Sequence, residues 1–164
     1  MTASVQPVFL TDHPLAFQKQ IFVDDGSNLD HFRDHVLWLT AHCASGVESR
    51  LGGDADTARR VLDQCVRQAP RFTRARIELA YTFMDQGRYD AARQQIDAVM
   101  QYAPDNTTAQ YAAAYVQVQM GHPENAKPYF ALLEQSGDHA MLEKMKSLQY
   151  YIDHKLPLKP GAPQ

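Results

Sequence analysis

Residues 73–106 read T-R-A-R-I-E-L-A-Y-T-F-M-D-Q-G-R-Y-D-A-A-R-Q-Q-I-D-A-V-M-Q-Y-A-P-D-N, and their landmarks return at a fixed stride on either side. Gly53, Gly87 and Gly121 stand 34 residues apart, as do Ala58, Ala92 and Ala126, and Pro70 and Pro104. Leu62, Ile96 and Phe130 keep the step, as do Cys65, Val99 and Leu133, with Gly46, Ala80 and Ala114 forming a line of small residues upstream. Self-similarity of this period marks stacked supersecondary units. Each column has a physical task. The glycines fall between two helical patterns, where a residue able to take φ > 0 ends the first helix. The small residues let two antiparallel helices approach, the bulkier columns fill the space between them, and the prolines stop the second helix. Asp54 is a natural cap for the helix after its glycine; Arg88 and His122 at the same position are poorer ones.

On these residues the stretch resembles a tetratricopeptide repeat: Leu79, Ala80, Phe83, Gly87, Tyr89, Ala92, Ile96, Val99 and Pro104 occupy the signature places, while Arg76 stands where a large aromatic is usual. The flanking units, 39–72 and 107–140, are more degenerate. Ser45 and Ser49 replace the usual Leu and Tyr, Pro128 falls inside a second helix and should remove a hydrogen bond there, and Gly137-Asp138 replaces the terminal proline. The resemblance implies an all-α solenoid of three helix-turn-helix units, 39–140, between an N-terminal helical extension (1–38) and a capping helix (141–155). Met141, Leu142, Met145, Leu148 and Ile152 form the apolar stripe of that last helix, Asp138 is its expected N-cap, and the three prolines after Leu156 suggest a flexible tail over 156–164. Upstream, Leu29, Phe32, Val36, Leu37 and Thr40 share one helical face, and this helix either runs into the first repeat as one rod or breaks near Gly46. A short helix from Asp12 to Phe22 would need a partner surface, supplied by the rest of the fold or by a second subunit, so a homodimer through the N-terminal region is allowed.

The same resemblance implies a concave groove lined by the first helix of each unit. Its expected peptide-binding positions are Val47, Arg74, Ile77, Tyr81, Met84, Tyr111, Tyr115 and Val118. The places that would be basic or amide in a carboxylate clamp are apolar or phenolic here, so the expected guest is a protein or peptide segment with apolar anchors. The alternative is that these residues pack against the chain itself. In layout the chain is similar to bacterial class II type III secretion chaperones, which implies an adaptor or chaperone role. A scaffold subunit of a secretion or pilus assembly is the reading of a different class.

Composition narrows the remainder. Sixteen Lys and Arg against 19 Asp and Glu give a net charge of −3, which offers nucleic acid no basic footprint, although Arg59, Arg60, Arg67, Arg71, Arg74 and Arg76 cluster and are expected to be a solvated face. No apolar run is long enough for a membrane span or shaped like a secretory leader, so a cytoplasmic protein without membrane insertion is expected. Cys43 and Cys65 fall on the two helices of the first unit and are read as buried reduced thiols. His31 and His35 are spaced i, i+4, a weak zinc pattern lacking a third ligand nearby, and Asp24-Asp25-Gly26 reads as an ordinary turn. No phosphate loop, nucleophile elbow or dinucleotide fingerprint occurs; no cofactor is expected, and a metal-dependent enzyme built on His31 and His35 is only a distant third reading.

Overall fold

Small residues where paired helices meet, and a glycine in the turn inside each pair, produce consecutive helix hairpins. The computed structural model describes residues 27–163, with side chains from Arg33 onward; the expected Asp12–Phe22 helix, the Asp24-Asp25-Gly26 turn and the side chain of His31 lie outside the described residues. Among the described residues the elements are α1 (Ser27–Leu51), α2 (Ala55–Gln68), α3 (Thr73–Asp85), α4 (Tyr89–Tyr102), α5 (Thr107–Gln119), a 3-10 turn (Pro123–Ala126), α6 (Lys127–Ser136) and α7 (His139–Asp153), with no strand. The chain divides into two compact units at the Arg76/Ile77 junction, inside α3.

In the first unit α1 is one continuous rod, which settles the choice left open near Gly46. It crosses α2 where Gly46 is buried: a Cβ built there would lie 2.9 Å from Leu62 Cγ and 3.0 Å from Val61 Cγ1. Val36, Leu39, Ala58 and Leu62 are buried in this unit. Asp54 Oδ1 accepts from the Thr57 N–H at 3.0 Å and caps α2. The thiol expectation is corrected. Cys43 and Cys65, 5.9 Å apart at Cα, are joined in a disulfide across the hairpin.

In the second unit α3 and α4 contribute Ala80, Met84, Ala92 and Ile96 to a core shared with Ala114, Val116, Ala126, Phe130 and Leu133 from α5 and the segments after it. Met145 and Leu148 of α7 are buried in that core, with Met141, Leu142 and Ile152 packed partly against it. Gly53, Gly87 and Gly121 have φ of 86°, 70° and 82°, the left-handed conformation that an L side chain resists. Arg88 and His122 make no side-chain cap bond, as their chemistry dictates.

Pro128 behaves differently from its expected role. The third unit's second helix begins with a 3-10 turn, and α6 starts at Lys127, so Pro128 occupies the first helical turn, where no N–H is required. Asp138 caps α7 through Oδ1, 3.1 Å from the Met141 N–H, while its Oδ2 accepts from Thr107 Oγ1 at 2.7 Å.

Two substitutions separate close approach from turn geometry. Gly46→Leu should cost about 2 kcal/mol by overpacking α1 on α2, and Gly87→Ala about 1 kcal/mol by placing a Cβ at positive φ; urea denaturation of the two variants measures both. The Cys43–Cys65 bond closes a span of 22 residues, so Cys65→Ser should lower stability by about 3 kcal/mol, with reductant lowering the wild-type melting midpoint and leaving that of the variant unmoved.

Candidate functional site: a phenolic cavity against the C-terminal segment

Helix α5 presents two tyrosines one turn apart, and i, i+4 spacing brings them to one face. Tyr111 and Tyr115 have ring centroids 6.2 Å apart. With Ser147, Leu148 and Tyr151 of α7 they wall a cavity of about 400 Å³ whose opposite side is Pro157–Pro160 with Ala162 and Pro163. Lys144 Nζ stands 5.9 Å from the Tyr111 centroid, within reach of a cation–π attraction.

The segment after α7 lies along this wall in place of the free tail expected from its prolines. Gln119 Nε2 donates to the Lys159 carbonyl at 2.7 Å and to Tyr115 Oη at 3.1 Å, and Tyr115 Oη lies 3.5 Å from the same carbonyl. Three residues on, the Ala162 N–H donates to Asp85 Oδ1 at 2.8 Å. Gly161 between them is buried with φ 112°, and a Cβ there would meet Asp85 Oδ1 at 3.1 Å. Leu158 and Ala162 pack against the core that contains Tyr111 and Tyr115.

Burial governs the phenols. Tyr111 is pushed up to about 12 by desolvation, to which the neighbouring Tyr115 adds. Tyr115 is also raised by burial, against the opposing pull of the Gln119 hydrogen bond. Both rings therefore remain neutral hydroxyl donors and acceptors at physiological pH.

The eight positions expected to bind peptide are not equivalent. Val47 is half-buried and Arg74 exposed, and both belong to the first unit. Ile77 is buried with Val99 and Ala109, and Met84 is wholly buried, so these two are core residues without a face to offer a guest. Tyr81 and Val118 are half-buried against the core and keep an accessible side. Tyr111 and Tyr115, although only 6% and 7% exposed, reach the cavity. Gln119 and Asp85 are both groove positions of repeat first helices by sequence register; their roles as a backbone-binding amide and a backbone acceptor come only from the path of residues 156–163. His35 and His42 flank Trp38 in a stack, with centroids 6.1 and 4.8 Å from it, and His42 Nε2 pairs with Gln64 Oε1 at 3.2 Å. Among the described residues no group of three His, Cys, Asp or Glu is placed to hold a metal ion. In the basic stretch, Arg67 pairs with Asp63 and Arg60 donates to Thr57, as a solvated helix face does.

A tetratricopeptide repeat profile matches residues 51–101 and 83–146, together more than half of the chain. The chain belongs to the tetratricopeptide repeat family. No curated protein sequence matches it. Members of this family are protein–protein interaction modules, and the all-α TPR framework of this chain is of that kind.

The raised phenol makes a pH prediction. A folded-state value near 12 against an ordinary value of 10.0 means the fold favours protonated Tyr111. Its contribution is therefore fully present below pH 10.0 and lost as pH climbs towards about 12. Urea midpoints taken across that window should fall with rising pH, less steeply in Tyr111→Phe.

Proposed function

We propose that this TPR protein is a non-catalytic adaptor or chaperone that holds an extended segment of a protein partner against the α5 wall. The observation that carries this reading is the cavity between Tyr111 and Tyr115 of α5 and Tyr151 of α7, with the Gln119 amide beside it. Phenols give large contact area at low entropic cost and a hydroxyl for partner backbone, and a side-chain amide reads main-chain carbonyls irrespective of sequence. Tyr81 and Val118 pack partly against the same core and keep accessible sides. Apolar anchors spaced along an extended peptide match such a wall better than a carboxylate terminus, for which the clamp cations are missing.

Fluorescence polarisation against labelled peptides with spaced Leu or Phe anchors tests the reading, with serine at the anchors as control. Capture should favour the apolar set, and Tyr81→Ala should weaken it by about fivefold to tenfold. Equal signals from apolar and serine peptides, in the wild-type chain and in Gly161→Val alike, overturn the proposal.

A second reading, a permanent subunit of a larger assembly, is favoured by Leu37 and Trp38, which are 52% and 45% exposed on α1. Such a subunit copurifies stoichiometrically with one fixed partner, or with a second copy of itself through the N-terminal region, and ignores isolated peptides. No helix among the described residues is long and apolar enough to cross a membrane. Compartment follows the state of Cys43 and Cys65: a persistent bond belongs to an oxidising setting, reduced thiols to the cytoplasm, and a thiol count on freshly isolated protein distinguishes them.

A further inference from the structure

We infer that residues Leu158–Ala162 are an internal occupant of the partner site, so that the α5 wall is closed in cis and opens only when a segment of the same chemistry displaces them. The inference rests on the peptide-docking reading above and adds to it a regulation and a ligand pattern.

Three features make this stretch a ligand-like occupant rather than a casual surface contact. First, it is held at both ends by side chains acting on its main chain: Gln119 donates to the Lys159 carbonyl and Asp85 accepts from the Ala162 N–H. Both bonds go to backbone groups of the guest, so another peptide that follows the same bent path can take them over. Second, its apolar contacts come from Leu158 and Ala162, four residues apart and both against the tyrosine core. Third, its glycine is required: Gly161 is buried at φ 112° with Asp85 Oδ1 where a Cβ would need room. The pattern that fits is therefore an aliphatic anchor, a basic or polar residue, proline, glycine and a small residue. Proline fixes φ at the entry to the bend over residues 160–162, so such a guest loses less chain entropy on docking.

The occupation is also incomplete. About 400 Å³ remains between the segment and the Tyr111, Tyr115 and Tyr151 rings. A guest with a larger anchor than Leu158 can therefore outcompete the segment by filling that space. A site closed in cis binds with an apparent affinity lowered by the fraction of time it is open.

The experiment uses the full chain and a fluorescein-labelled peptide of residues 156–163, read by polarisation. Two variants release the segment by unrelated means: Leu158→Asp removes the anchor, and Gly161→Val makes the turn over Asp85 untenable. Circular dichroism confirms that each keeps its helices, and either one folding suffices. Released variants should bind the peptide about tenfold or more tighter than wild type, and adding Gln119→Ala to a released variant should cancel the gain. If wild type and released variants bind the peptide equally, closure in cis is refuted while the docking wall stands. If released variants capture the Leu- or Phe-anchored peptides but not the 156–163 peptide, the internal-ligand inference fails and the docking reading survives. If no form of the chain captures any of the peptides, both fall.

Discussion

Backbone proximity between paired helices is the constraint from which the rest of the structure follows. Gly46 against Leu62 and Val61, and the wholly buried alanines at 58, 80, 92, 114 and 126, leave no room for a larger group where the helices meet. Packing density in such a contact approaches that of a crystal, so each added methylene displaces a neighbour. Once the axes are drawn together, Leu62, Ile96 and Leu133 have a fixed volume to fill, and all three are fully enclosed. The left-handed glycines supply the reversal that lets the pairing occur at all.

That framework explains why the second unit carries a polar margin on an apolar wall. Helix α5 is buried over residues 109–116, as a helix flanked by α4, α6 and α7 must be, and its tyrosines are covered rather than displayed. What emerges at its C-terminal end is Gln119, a side chain with two donors, and at the end of α3 Asp85, an acceptor. Between them they hold one carbonyl and one amide of a passing chain, which is the minimum needed to fix its direction.

The stride of 34 residues makes the pairs, the turns and the quality of the caps readable from the sequence: Asp54 caps and Arg88 does not, because only the carboxylate can accept from a free N–H. Three things were not readable. A proline is compatible with the first turn of a helix and incompatible with its middle, and nothing local told which applied to Pro128 until the 3-10 turn shifted the start of α6. Ile77 and Met84 were assigned to the groove by position in the repeat, whereas neighbouring helices enclose them. The path of Leu156–Pro163 depends on contacts with residues 40 and 77 positions away, which a periodicity cannot contain. The bond between Cys43 and Cys65 belongs to the same class: the sequence places the two cysteines on facing helices but does not fix how near their sulfurs come.

One carboxylate ties the beginnings of two helices together. Asp138 gives one oxygen to the Met141 amide and the other to the Thr107 hydroxyl, and these bonds, the hydroxyl's first, hold its pKa below the ordinary value of 3.8. The stabilisation they bring is present above that value and disappears as pH drops through the lower folded-state one. A single proton would thus break both bonds at the same moment, one at the start of α5 and one at the start of α7, the two helices that wall the tyrosine cavity.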